Sequence, residues 1–215
     1  MSLDDLYGRC VRTPSDIWEH LPTLVRNVEE LDAIRVIELG VRHGVSTIAW
    51  LYALRGKGER GEAHLWSVDC SFPTPGPEMP DVNLLDPQGP LGVIPWWTFI
   101  LGYDNWPAVI EALPDPWAPA EEGAQVLTEG RVDIVFIDTQ HTYEQTKLEI
   151  ELYRPFVRPG GRMIFHDTAI VETGNAVTPQ PPYPVRTAIE GYVAAHGLSW
   201  TNEEHCNGLG TIFIP

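Results

Sequence analysis

Five short runs, at residues 34–39, 64–69, 98–101, 132–137 and 162–165, carry apolar side chains on both faces of an extended chain. A strand of that kind is buried on both sides, as in a parallel sheet covered by helices. Parallel neighbours need long crossovers, and stretches of helical period stand at 45–54, 106–113, 143–153 and 185–196. The predicted class is α/β, with a doubly wound, mostly parallel sheet. Near the end, 198–202 and 209–214 flank the turn-rich Cys206-Asn-Gly-Leu-Gly, so an antiparallel hairpin completes seven strands. Before the first strand, Ser15 is expected to cap a helix through Ile17, Trp18, Leu21, Leu24, Val25 and Val28, kinked or delayed by Pro22. The expected division is an N-terminal helical cap over 1–33 and one main domain over 34–215.

The chain has 14 Lys and Arg against 30 Asp and Glu, a net charge of −16. Phosphate backbones and anionic lipids are held by cations, so the reading excludes nucleic-acid and membrane-surface partners. The longest apolar stretch, 93–101, is broken by Pro95 and falls short of a membrane span. The acidic start, Met1-Ser-Leu-Asp-Asp, is unlike a signal peptide, and Cys10, Cys70 and Cys206 make no CxxC pair. A cytoplasmic protein with free thiols is expected. A homo-oligomer is compatible with the sequence.

The sharpest local signal is Val36-Ile-Glu-Leu-Gly-Val-Arg-His-Gly-Val-Ser-Thr, a strand entering a glycine turn and then a helix. Gly40 would permit close approach of a ligand to the backbone, and Gly44 would start a helix whose amides face that ligand. Glu38 precedes the first glycine and there is no third, so the pattern is not the dinucleotide fingerprint. The next two strands also end in acids, Asp69 and Asp104, and Asp69 is placed to accept a ribose diol. The fourth and fifth strands end in Ile137-Asp138-Thr-Gln-His141 and Phe165-His166-Asp167. Adjacent strand ends bring Asp138, His166 and Asp167 close enough to share an ion, with His141 one turn further on. Two facing carboxylates would otherwise repel and drive one toward protonation. Oxygen ligands suit Mg²⁺ or Mn²⁺, whereas the His166 imidazole favours a transition metal. The alternative has Asp138 capping the following helix and His166 satisfied in the core.

With these residues in view, the chain resembles the class I S-adenosylmethionine-dependent methyltransferases, over roughly 34–214. The resemblance implies the Rossmann-like methyltransferase fold, with 34–215 as the catalytic domain. It implies that Glu38, Gly40 and the turn through Gly44 and Ser46 hold the methionine end of the cofactor. It assigns Asp69 to the ribose and Asp104 to the adenine, with Asp138 also beside the cofactor. The stretch Asp138-x-x-His141-x-Tyr-Glu, followed by Arg158-Pro-Gly-Gly and Phe-His-Asp, is similar to the small-molecule O-methyltransferases of macrolide-sugar and antibiotic tailoring. In that branch the residues matching Asp138 and Asp167 hold a divalent metal and the one matching His141 acts as base; His166 stands where an acid is common.

The expected reaction is therefore methyl transfer to a hydroxyl of a sugar or natural product. Asp138, His166 and Asp167 are the expected metal ligands, and His141, titrating near pH 6.5, is the expected base. The irregular stretches 71–95 and 168–184 are expected to shape the acceptor site as lid or wall, or else to be surface loops. Trp96, Trp97 and Tyr183 could supply a flat wall or belong to the core. Two other classes stay open, an NAD-dependent oxidoreductase and a non-catalytic cofactor-binding scaffold.

Overall fold

The computed structural model describes residues 1–86, 88–89, 94–104, 131–171 and 180–215. Its strands are β1 (Arg35–Leu39), β2 (His64–Asp69), β3 (Trp97–Leu101), β4 (Val132–Ile137), β5 (Val157–His166), β6 (Ser199–Glu203) and β7 (Leu209–Phe213). They form one sheet in the order β3-β2-β1-β4-β5-β7-β6. The first five are parallel, and β7 runs antiparallel to both β5 and β6. This is the doubly wound, mostly parallel sheet with a terminal hairpin that the apolar runs predict. The main difference in extent is β5, which starts at Val157 and passes through a register shift opposite Val132 and Ile134.

The helices are α1 (Leu3–Cys10), α2 (Leu21–Leu31), α3 (Val45–Gly58), α4 (Tyr143–Tyr153) and α5 (Pro184–His196). The helix expected at 106–113 lies outside the described residues. Among the described residues no helix is long and apolar enough to cross a membrane.

Alternation along the strands sorts side chains into two cores. Val36, Leu65, Ile134 and Phe136 face α1, α2 and α3, whereas Ile37, Trp66, Val135 and Met163 face α4 and α5. Every residue of α3 from Val45 to Leu51 is buried. A helix apolar all round needs a second cover, which α1 and α2 provide on the side away from the sheet. Residues 1–33 thus share a core with the sheet.

The start of the chain differs from expectation. Ser2 and Asp5 form a reciprocal capping box that opens α1, a helix not among those expected. Ser15 caps nothing: its buried hydroxyl has no hydrogen-bond partner, and α2 opens at Leu21 with Pro22 in the first turn. Pro is tolerated there because that turn needs no amide donor. Asp133 locks the opposite edge of the sheet, accepting from the Ile34 and Arg35 amides at 2.9 and 2.8 Å and pairing with Arg158.

Candidate active site

β1 lies between β2 and β4, so the crossovers leave it in opposite directions and a crevice opens at the strand ends. The glycine turn occupies that point. A Cβ on Gly40 would lie 1.9 Å from the Asp138 carbonyl oxygen, and φ is +88°. Gly40 is therefore required first by the close approach of β4's end, ahead of any ligand. A Cβ on Gly44 would lie 1.9 Å from Leu84 Cδ1, so the packing of a loop side chain requires glycine where α3 starts.

The same packing ties part of the first irregular stretch to the core. Met79, Val82 and Leu84 are buried in the core beside α1 and α3. Trp96 packs against Gly58, and Trp97 donates to Ser67 Oγ at 3.0 Å, so both belong to the core rather than to an acceptor wall. Tyr183 is 40% exposed at the start of α5.

Glu38 sits beneath the turn and does not line the cavity. Alternation points it toward α3, where it is wholly buried and accepts from the hydroxyls of Ser46, Thr47 and Ser67 at 2.7, 2.7 and 2.6 Å. Burial pushes its carboxyl up to about 7, the three hydroxyls pulling the other way. Ser46 is likewise committed to Glu38. Both brace the turn from below.

Asp69 reaches across the turn. Its Oδ2 accepts the Val41 and Arg42 amides at 2.8 and 3.0 Å, and its Oδ1 accepts the Ser71 amide and hydroxyl at 2.8 and 3.0 Å. Burial raises its proton affinity, but these donors outweigh it and hold the carboxyl below its ordinary range. Arg42 takes φ +50°, a left-handed strain stored within the turn.

A cavity of about 310 Å³ opens above, lined by Gly40, Asp69, Tyr103, Asp104, Asp138 and Gln145 among others. Asp104 accepts from Gln145 Nε2 at 3.1 Å, and its carbonyl accepts from Tyr153 Oη at 2.7 Å. Gln145 also donates to the fully buried Glu149, whose carboxyl burial keeps well above its ordinary range. Gln145 and Glu149 were missed, although their spacing of four places both on one face of α4.

At the end of β4 and β5 the expected cluster assembles. His141 Nε2 lies 2.6 Å from Asp167 Oδ2 and 3.8 Å from Asp138 Oδ1. His166 Nδ1 lies 3.2 Å from Asp167 Oδ2 and 3.4 Å from Asp138 Oδ1, and its Nε2 donates to the Cys206 carbonyl at 3.0 Å. Asp167 takes φ +61°. Thr142, not Asp138, caps α4.

The charges run against two expectations. The facing carboxylates do not drive each other to protonation. Burial pushes both upward, yet the two imidazoles hold Asp138 and Asp167 below their usual range. Conversely, burial would lower His141 and His166, but the carboxylates raise them to about 10 and about 11. His141 without a cation is thus an imidazolium at neutral pH and not a base titrating near 6.5.

One observation fits a cation. Asp167 Oδ1 is buried with no hydrogen-bond partner, while Asp138, His141 and Asp167 each offer a ligand atom within 4.8 Å of the others. The two carboxylates suit a divalent ion, and the His141 imidazole stands within reach of both. His166, expected as a ligand, faces the same two carboxylate oxygens from a nearly sealed position.

Comparison with known proteins adds to this geometry. The family model described as a methyltransferase domain matches residues 37–168. No curated protein matches the chain. The O-methyltransferase from Bacillus cereus, solved with SAH, superposes with a TM-score of 0.61 at 15% identity, over 99% of this chain and 90% of that one. The Podospora anserina methyltransferase PaMTH1, solved with SAH, gives 0.55 at 13% identity, over 99% and 94%. MycE from the mycinamycin biosynthetic pathway, solved with Mg and SAH, gives 0.61 at 17% identity; 99% of this chain is covered but only 54% of MycE. At these identities the likeness is one of fold.

Proposed function

Because the chain belongs to the methyltransferase-domain family and is an S-adenosylmethionine-dependent methyltransferase, we propose that it methylates a hydroxyl of a small molecule with the help of a divalent cation. The carrying observation is the unpartnered Asp167 Oδ1 in an Asp–His–Asp cluster at the edge of the switch-point cavity. Solved relatives support the reading, being O-methyltransferases or bound to SAH, and in one case to Mg. We assign catalysis to 34–215, with 1–33 as the helical cap over α3.

When bound, S-adenosylmethionine supplies a methyl group on a sulfonium that leaves in one in-line displacement. The rigid turn from Gly40 positions its methionine end. Asp69 Oδ2 is committed to the turn amides, leaving Oδ1, held by exposed Ser71, to meet a ribose diol. Asp104, fixed through Gln145, stands on the side assigned to the adenine.

Asp138 and Asp167 would hold the cation. A divalent ion there would lower the pKa of an acceptor hydroxyl and neutralise the carboxylates that keep His141 protonated. His141 is 37% exposed whereas His166 is nearly sealed, so the acceptor's proton goes to His141 Nε2 and leaves through it. His166, tied to the Cys206 carbonyl, orients Asp138 and Asp167.

Tyr143 and Lys147 stand at a spacing used in hydride transfer. Lys147, however, is exposed on α4 and pairs with Glu151 at 3.9 Å, so it lends no weight to an oxidoreductase. The test is transfer of radiolabelled methyl groups to a panel of hydroxylated acceptors, with Mg²⁺ or Mn²⁺ and after chelation. Labelling that requires the cation supports the proposal; full labelling of metal-free protein refutes the cation's role, and no labelling of any hydroxyl refutes O-methylation.

A further inference from the structure

Outside the catalytic cluster, His20, Glu203 and His205 each offer a ligand atom within 4.8 Å of the others. His20 ends the short helical turn Trp18–His20, Glu203 ends β6, and His205 lies in the hairpin turn. The His20 side chain is fully buried. Its Nε2 lies 2.7 Å from the His205 carbonyl oxygen, which is itself fixed by the Gly208 amide at 2.8 Å. A carbonyl can only accept, so Nε2 carries the proton and Nδ1 of the neutral ring presents a lone pair. That Nδ1 is buried without a hydrogen-bond partner and faces Glu203 Oε2 at 3.6 Å. In that tautomer the lone pairs of Nδ1 and of the Glu203 oxygen oppose one another, with no hydrogen bond between them.

We propose that His20 Nδ1, Glu203 and His205 bind a zinc-class transition ion that cross-links the turn before α2 to the β6–β7 hairpin. The ion resolves the opposed lone pairs, and the His20 tautomer is the one needed. A metal-bound imidazole typically donates its other N–H to a backbone carbonyl. Ligand atoms around a tetrahedral Zn²⁺ are about 3.3 Å apart. His20 Nδ1 and His205 Nε2 lie 3.6 and 3.8 Å from Glu203 Oε2, so small side-chain shifts complete the set. Two imidazoles and one carboxylate select a transition ion over Mg²⁺. His205 and Glu203 are 48% and 39% exposed, giving the ion an entry path and a water in the fourth position. Thr23 approaches the other carboxylate oxygen of Glu203 at 3.5 Å. The site lies behind the catalytic cluster, the His20 and His166 rings meeting edge-on with centroids 6.0 Å apart.

The proposal is independent of the methyl acceptor and of the catalytic cation. The test uses the full chain, stripped with chelator and held in excess Mg²⁺, titrated with Co²⁺ as a visible probe. One equivalent should bind with low-coordinate absorption. His205→Ala and Glu203→Gln, both at exposed positions, should each weaken it at least tenfold, and Asp167→Asn should leave it intact. Saturating Zn²⁺ should raise the Tm of the unsubstituted chain and not that of His205→Ala. Equal Co²⁺ affinity in His205→Ala, absence of that equivalent in the unsubstituted chain, or its loss in Asp167→Asn alone would each overturn the proposal.

Discussion

Glu38→Gln isolates the energetic consequence of burying an acid beneath the turn. The carboxyl moves from 4.5 to about 7 in the folded protein, and burial is the leading cause. Between those values the unfolded chain has released the proton and the folded one has kept it, so folding stability falls as pH rises. The loss begins near pH 4.5, is complete just above pH 7, and amounts to about 3 kcal/mol for a fully buried group. Gln has the same shape and does not titrate, and the hydroxyls of Ser46, Thr47 and Ser67 can turn to accept from its amide. Urea unfolding of both proteins at several pH values from 4 to 8 gives a difference curve in which other titrations cancel. The variant should gain on the parent steadily across pH 4.5 to 7 and then stay level. A flat difference refutes the buried neutral acid. A slope of opposite sign would mean that the three hydroxyls stabilise the charge more than burial penalises it.

The catalytic cluster predicts proton release: at pH 8, Mg²⁺ binding to chelated protein should expel protons from His141 or His166, seen as a heat of binding that varies with the buffer's ionisation enthalpy. Buffer-independent heat contradicts it. In the cation-free protein both histidines have raised values, so their stabilisation is complete below about pH 6.5 and lost as pH rises through about 10. Urea midpoints that hold steady across that range would remove the imidazolium reading. Gly40→Ala combines a backbone clash with φ +88° and should cost about 2 kcal/mol or more in urea unfolding; a loss below 0.5 kcal/mol would show that β4 can retreat. Asp69→Ala should weaken S-adenosylmethionine by about 1.5–3 kcal/mol in calorimetry, and unchanged affinity would remove Asp69 from the ribose.

The strands, the crossover helices α3, α4 and α5 and the terminal hairpin were legible because their signal is local. Buried parallel strands repeat apolar residues, and Gly40 and the strand-end acids mark the edge where the cavity opens. α1 lies outside the expected helices, although the Ser2–Asp5 capping box marks its start. What each polar residue does was decided by partners far along the chain. Glu38 is a brace because alternation turns it toward α3 and Ser67 closes over it from β2. Gly44 is held by Leu84 from a loop that looked irregular. His141 gains proton affinity in the cation-free protein because the end of β5 carries Asp167 to within 2.6 Å of it, a distance that no spacing in the sequence encodes. His20 gained the His205 carbonyl across 185 positions. Periodicity follows from the backbone's own geometry, so one segment suffices to read it. Protonation, desolvation and lone-pair direction depend on which atoms surround a group, and only the folded chain brings those atoms together.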